Sequence, residues 1–451
     1  MKYSVVTFGC RVNQADSLGF EEELLASGAV TAAPQDADLV IVNSCSVTAS
    51  ADQGTRQTIR RIARDNPGAR IVVTGCYATR RPDEVSALPG VERVVPNDDK
   101  PRLIQLLRRT EETGESAKNA ERNAFSAISA DSAVRSGRDG DGPCGATIEP
   151  GVAGRTAFTL RVQTGCAEPC SYCIIPTTRG TPRSVSVDAI LGEVDRVTAA
   201  GFKEIALTGV HLGSYGRDLE PRSSLIDLLR ALGGALPSSG SVRLQPDPDH
   251  GVLFRISSLE PMDCSREVVD LVASSDRFAP HFHLPLQHAS NRVLAAMRRP
   301  YTIEYYAALV DDIRLRIPNA SIGSDIIVGF PGETDEDFDQ LVAYLETSPL
   351  THIHVFPYSD RPGTPASTMA GKVNGVVVRE RGRIVRDIGH RLSRRFHGSQ
   401  VGTTHRALTL EDGTLVVTGN YQKVRIPPGR ARNEWVRVRL TSQDYGELLS
   451  G

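Results

Sequence analysis

The chain has 451 residues, 40% of them apolar and 24% charged, with a formal net charge of −2 and eight cysteines. That composition excludes a disordered or low-complexity polypeptide and is enough for two to four domains, each with its own core. No apolar run approaches the length of a membrane span and the N-terminus lacks a secretory apolar segment, so the expectation is a cytoplasmic protein without a membrane partner, whose cysteines are metal ligands rather than disulfides.

The first hundred residues alternate β-prone and helix-prone stretches. Apolar runs at Tyr3–Phe8, Leu39–Asn43 and Ile71–Thr74 are separated by helical patterns around Ser17–Ser27 and Gln53–Arg64, which predicts a doubly wound parallel α/β sheet. Each run is followed at once by a cysteine: Cys10, Cys45 and Cys76. Carboxyl ends of parallel strands share one edge, so three cysteines distant in sequence can converge there. The alternative is three buried structural thiols. Residues 113–151 are rich in Gly, Ser, Ala and charge and are expected to be a flexible linker, with Cys144 a poor ligand within it.

From Phe158 a second α/β series begins. Strands are predicted at Phe158–Gln163, Glu204–Thr208, Leu253–Ser257, Phe282–Pro285, Ile322–Val328 and Ile353–Phe356, with helices such as Ser186–Ala199 and Ile303–Ile317 between them. Six such units predict a partial (β/α)6 barrel with function at the C-terminal strand ends. Pro237–Gly251 looks like an inserted loop, and Cys264, with no cysteine near it, is expected to be structural. After the first of these strands comes Cys166-Ala-Glu-Pro-Cys170-Ser-Tyr-Cys173. Three thiols are one fewer than a closed zinc or iron–sulfur site takes, so a cluster held here keeps a position open for substrate. A zinc knuckle with its fourth ligand elsewhere, or three buried thiols that bind nothing, are the other readings.

The tail from Arg379 carries 14 Lys and Arg against 7 Asp and Glu. Its last part, about Gly398–Leu440, has short β-prone runs (Ala407–Leu410, Leu415–Thr418, Gln422–Ile426, Glu434–Leu440) broken by Asp-Gly and Pro-Pro-Gly turns, the pattern of a small antiparallel β-barrel. Lys423, Arg425, Arg430, Arg432, Arg437 and Arg439 are interleaved there with Tyr421 and Trp435. Cations for phosphates and rings for bases suit an RNA-binding surface, and a merely soluble barrel is the alternative.

The cysteine loop resembles that of the radical S-adenosylmethionine (SAM) superfamily. With both triplets and the tail in view, nearly the whole chain resembles a tRNA methylthiotransferase, and Thr7-Phe-Gly-Cys-Arg-Val-Asn-Gln14 is similar to the start of its MtaB group, which modifies threonylcarbamoyladenosine. Asn43-Ser-Cys-Ser-Val-Thr48, His283-Leu-Pro-Leu-Gln287 and His354-Val-Phe-Pro-Tyr-Ser359 point the same way, whereas Glu168-Pro169, Thr177-Thr178 and the Pro237–Gly251 stretch depart from the pattern. The resemblance implies four parts: a methylthiotransferase domain (1–112), the linker (113–151), a radical SAM barrel (152–393) and a TRAM-like RNA-binding domain (394–451).

The resemblance further implies two 4Fe-4S clusters. One, on Cys166, Cys170 and Cys173, reduces SAM to generate a 5′-deoxyadenosyl radical. An auxiliary one, on Cys10, Cys45 and Cys76, presents the sulfur that a second SAM methylates. Tyr172, Gly209, Ser258 and Gln287 are the expected SAM contacts. Arg11, Arg179 and Arg183 are expected near the substrate carboxylate, with Lys423 and Arg425 on RNA. The implied partners are the tRNA anticodon arm and a flavodoxin- or ferredoxin-like electron donor, while the sulfur source is not implied. Enzymes acting on isopentenyladenosine tRNA or a ribosomal protein are the nearest alternatives, and a zinc-containing RNA-binding protein is the non-enzymatic one.

Overall fold

The computed structural model describes residues 1–112, 156–234 and 251–449, so the expected linker, Cys144 and nearly all of the Pro237–Gly251 stretch lie outside the described residues. The chain divides into two compact units. The first comprises Met1–Thr147 with Thr177–Arg179, and the second the rest.

In the first unit five strands form one parallel sheet in the order β2-β1-β3-β4-β5: β1 Lys2–Thr7, β2 Val30–Thr31, β3 Leu39–Ser44, β4 Arg70–Gly75 and β5 Val91–Val95. The central strand β3 is buried throughout, as its unbroken Leu-Val-Ile-Val run requires of a strand covered on both faces. Val40 and Val42 pack with Ile59 and Ile62 of helix Ala49–Asp65, while Leu39 and Ile41 pack with Phe20 and Leu24 of helix Arg11–Ala26 and with Leu103 and Leu107. The sheet adds two edge strands to the three expected. One has only two residues and the other mixes Glu and Arg with valines, so neither carries an apolar run.

The second unit opens with six parallel strands: β6 Phe158–Arg161, then, beyond a short antiparallel pair, β7 Gln163–Thr164 with β8 Arg183–Ser184, the strands β9 Glu204–Thr208, β10 Leu253–Ile256, β11 His281–His283, β12 Ser321–Val328 and β13 His352–Pro357. They form two three-stranded ladders, β6-β9-β10 and β11-β12-β13, joined by a Ser258–His283 bridge. Each strand thus lies beside its predecessor, the arrangement that helical crossovers produce. One face carries the large core, where Leu207, Phe254, Ile322, Ile326 and Val328 meet Val194, Val269, Val310 and Leu341 of the helices.

Helix Gly375–Gln400 packs on this unit through Val385, Ile388 and Leu392, and it runs straight through the boundary expected at 393/394. Seven of the 14 cations of the tail therefore belong to this helix, where Arg383 pairs with Glu380 and Asp387, and Arg391 with Glu346. Beyond it β14 Thr404–Leu410, β15 Leu415–Thr418, β16 Lys423–Arg425, β17 Trp435–Leu440 and β18 Gly446–Leu448 form an antiparallel sheet in the order β16-β15-β14-β17-β18, with an Arg425–Tyr445 bridge between its ends. Among the described residues no helix is long and apolar enough to cross a membrane.

Candidate functional site

At the carboxyl edge of the first sheet, Thr7 pairs with Asn43 and Ser44 with Gly75, so the chain segments bearing Cys10, Cys45 and Cys76 leave three adjacent strands side by side. Two glycines make the convergence possible. Gly9, at φ +90°, lies so close that a Cβ would stand 2.5 Å from the Cys45 Sγ, and Gly75, at φ +98°, faces the Ser44 carbonyl at 2.2 Å from where its Cβ would be. Cys10 is exposed, whereas Cys45 and Cys76 are buried. Burial pushes the Cys45 thiol up to about 12, and the neighbouring Cys76 and Cys10 push in the same direction.

Asn13 of the Thr7–Gln14 motif holds these loops together with Asp16, Asn97 and Lys100, which no sequence motif singles out. Asn13 is fully buried and donates to the carbonyls of Phe8 (2.8 Å) and Ser44 (2.9 Å), tying the Cys10 segment to the Cys45 segment. Asn97 donates to the Thr178 carbonyl at 2.7 Å and approaches the Cys76 Sγ at 3.7 Å. Asp16 accepts from the buried Lys100 at 2.6 Å and lies 3.4 Å from Arg179, which also donates to Asn13 Oδ1 at 2.5 Å. Burial lowers the Lys100 ammonium, opposed chiefly by Asp16. For Arg179 burial works against the charge as well, but Asp16 and the thiols of Cys76 and Cys10 outweigh it and hold the guanidinium above its ordinary range. The expectation of Arg179 as a cation reaching for substrate is corrected here, because its guanidinium is only 3% exposed and bonded to Asn13 and Asp16. Three thiols with two adjacent cations make a soft anionic donor set with built-in countercharge, which fits an iron–sulfur cluster.

In the second unit, Gly165 at φ +76° turns the chain so tightly that a Cβ would meet the Thr181 carbonyl at 1.9 Å, and Cys166 N donates to the Gly180 carbonyl at 3.0 Å. Cys173 N donates to the Cys170 carbonyl at 3.3 Å. Burial raises the Cys173 thiol to about 12, with Cys170 and Cys166 adding to it, so all three thiols feel one another. Arg299 donates to the Cys170 Sγ at 3.2 Å and also pairs with Glu260. Arg299 does not belong to the expected site, and its pairing across 39 residues with Glu260, which follows the third barrel strand, left no periodic signal. The donor set again fits a cluster on three thiolates, with a guanidinium against one of them.

The expected SAM contacts all lie in this second unit, close to the strand ends. Tyr172 meets Phe330 edge-on at 6.5 Å and joins a small apolar cluster with Met297 and Ile327. Gly209 is a place of close approach, where a Cβ would meet Leu212 at 2.8 Å and Gln163 at 3.0 Å. Ser258 bridges to His283, and Gln287, at φ +70°, donates its N–H to the Asp325 carbonyl at 2.8 Å. Nearby, His211 Nε2 sits 2.9 Å from Asp263 and its Nδ1 lies 3.8 Å from Glu168 of the cysteine loop. Cys264 is buried, which with the adjacent Asp263 raises its thiol to about 12, in keeping with a structural residue.

On the terminal barrel, Lys423, Arg425, Arg437 and Arg439 are exposed, alternating with buried Val424, Val436, Val438 and Leu440. The two rings are engaged within the unit: Trp435 lies under the Arg406 guanidinium at 3.8 Å, and Tyr421 lies 4.6 Å from that of Arg255 and 5.0 Å from His281. Arg183 is exposed and Arg11 half-buried.

Residues 2–96 match the model of an uncharacterized protein family, UPF0004, and residues 160–345 that of the radical SAM superfamily. The threonylcarbamoyladenosine tRNA methylthiotransferase MtaB of Aquifex aeolicus is 34% identical over 442 residues, covering 98% of this chain and all of that protein. The chain belongs to the MtaB-type radical SAM methylthiotransferases. The MtaB enzyme of Thermotoga maritima is 33% identical, over 99% of this chain and 96% of its own. The ribosomal protein uS12 methylthiotransferase RimO of Roseiflexus castenholzii is 32% identical, over 93% and 88%. Among solved structures, the radical SAM methyltransferase TsrM of Kitasatospora setae superposes with a TM-score of 0.55 at 18% identity, covering 81% of this chain and 74% of that one, a likeness of fold. The family makes the protein an enzyme that transfers sulfur-containing groups, with SAM and a 4Fe-4S cluster as cofactors.

Proposed function

We propose that this enzyme adds a methylthio group to carbon 2 of threonylcarbamoyladenosine beside the anticodon of tRNA, using two 4Fe-4S clusters. Cys166, Cys170 and Cys173 would hold the cluster that cleaves SAM, and Cys10, Cys45 and Cys76 an auxiliary one. When bound, these groups supply radical generation and sulfur delivery, the chemistry that amino-acid side chains cannot. The chain's own contribution is placement. Arg299 holds a positive charge against Cys170, and Arg179 does the same beside the strand-end thiols.

The observation that carries this reading is the convergence of three cysteine-bearing strand ends in a chain that also contains the three-cysteine loop. Substrate choice rests on the MtaB relatives matched along their full lengths and on the exposed Lys423, Arg425, Arg437 and Arg439 as phosphate contacts for the anticodon arm. Arg11 or Arg183 would supply a cation for the threonyl carboxylate. Electrons would come from a flavodoxin- or ferredoxin-like donor in the cytoplasm.

Mass spectrometry of tRNA nucleosides from a strain lacking the gene tests the assignment. Threonylcarbamoyladenosine should then remain without its methylthio group, while methylthio-isopentenyladenosine is unchanged. Loss of the isopentenyl product alone would reassign the substrate, and loss of neither would remove tRNA from the reading.

A further inference from the structure

Along β11, β12 and β13 every second side chain belongs to one face of the sheet. His283 stands in register with Gly323, Gly323 with His352, and Asp325 with His354, so these residues share a face. Ile322 and Ile326, which flank Gly323 and Asp325 and belong to the opposite face, are buried in the helix-covered core. The histidine face is therefore the inner wall of the partial barrel. Ile327, two residues beyond Asp325 on that same face, packs with Phe330 and Tyr172, which places Asp325 one side-chain layer from the cysteine loop, about 7 Å along the strand.

His283 Nε2 and His354 Nδ1 converge on a single oxygen, Oδ1 of Asp325, at 3.0 and 3.1 Å. The three donor atoms all lie within 4.8 Å of one another. Metal–ligand bonds of about 2.1 Å at right angles separate two ligand atoms by about 3.0 Å, so little movement would bring an ion within bonding distance of all three. The rings are held by their neighbours. Gly323 makes room for His352, since a Cβ there would lie 2.1 Å from its Nε2, and His352 is fixed by Thr351 Oγ1 at 3.0 Å and meets both His283 and His354 edge-on. The side chains of His283, Asp325 and His354 are 14%, 24% and 57% exposed, so an ion has a way in.

We propose that His283, Asp325 and His354 bind one divalent first-row transition cation on the inner wall of the barrel, separate from any iron held by the cysteines. Two imidazoles and one carboxylate on a single face are a donor set for zinc or ferrous iron that leaves further positions open. Those positions can take water or the carboxylate and hydroxyl oxygens of a ligand within the barrel.

The test uses the cluster-loaded full chain incubated with Zn2+ and desalted. One zinc per chain should be retained, with only nitrogen and oxygen neighbours in its X-ray absorption spectrum. His354→Ala and, separately, Asp325→Asn should each weaken zinc binding by tenfold or more while leaving iron content and the thermal midpoint unchanged. His354 is the most exposed of the three, so its replacement should keep the fold. No retained zinc in the parent chain, retention in either variant equal to the parent's, or sulfur neighbours around the zinc would each overturn the proposal.

Discussion

Arg299 donates its Nη1 proton to the Cys170 sulfur at 3.2 Å while its other terminal nitrogen pairs with Glu260. A cation fixed against a cluster thiolate favours the more negative, reduced form of the cluster. Replacing it with methionine should lower the reduction potential of a cluster held by the cysteine loop by up to on the order of 100 mV, since a charge-assisted hydrogen bond contributes about 1.5–3 kcal/mol. Arg299→Lys should recover part of the shift. A redox titration followed by electron paramagnetic resonance reads this directly, and an unchanged potential in the methionine variant would rule it out.

Gly75 combines a left-handed φ of +98° with a backbone oxygen 2.2 Å from where a side chain would begin. Gly75→Ala should destabilise the first unit by roughly 2–4 kcal/mol, the sum of backbone strain and steric displacement. Iron bound through Cys10, Cys45 and Cys76 should fall with it. Urea unfolding and iron analysis of the same sample check both parts, and a variant as stable as the parent would refute the geometric argument.

The four exposed cations of β16 and β17 give a salt-dependent prediction. Changing Lys423, Arg425, Arg437 and Arg439 together to alanine should weaken tRNA binding by at least tenfold at low salt. It should also flatten the dependence of log affinity on log salt by about 0.7–0.9 for each phosphate left without its cation. Reductive SAM cleavage should be untouched. An unaltered slope would show that RNA docks elsewhere.

His288 is buried and His352 half-buried, and their pKa values are lowered to about 4, in both cases chiefly by loss of solvent. Both are neutral in the folded chain and take up protons more readily when unfolded, at an ordinary value of about 6.5. Their contribution to stability is thus fully present above pH 6.5 and is lost as pH falls towards 4. The unfolding midpoint should drop across that window, and less steeply in His288→Gln. A flat midpoint from pH 7 to 4 would contradict the assignment.

Both parallel sheets were legible from apolar runs and turn residues, because Leu39–Ser44 and Glu204–Thr208 are buried throughout and such strands write themselves as continuous hydrophobic stretches. The six cysteines stood out for the same reason, each following a strand or lying in a single loop. What the sequence hid depends on register. Asp325 meets His354 only because β12 and β13 align at that pair, and Asp16 meets Lys100 across 84 residues. A one-residue slip of β13 would have turned His354 to the other face, and for the helical Asp16 and Lys100 no local pattern encodes a contact so distant in sequence. The basic run from Arg379 reads either as a polyanion-binding module or as a solvated helix face, and in its first part the second holds: helix Gly375–Gln400 carries these cations, with Arg383 and Arg391 neutralised by acids on the helix and beside it.

Arg255 lies buried in β10, bonded to Glu204 at 2.8 Å, with its Nη1 on the Gly419 carbonyl at 3.0 Å and its face towards Tyr421. A charge this deeply placed cannot lose one partner without being stranded. The terminal barrel is consequently not an interchangeable cassette. A chimera that imports the barrel of a relative inherits Arg255 and Glu204 from its host, and unless the incoming turn presents a carbonyl and a ring at the places of Gly419 and Tyr421, the graft fails inside the catalytic body rather than at the RNA.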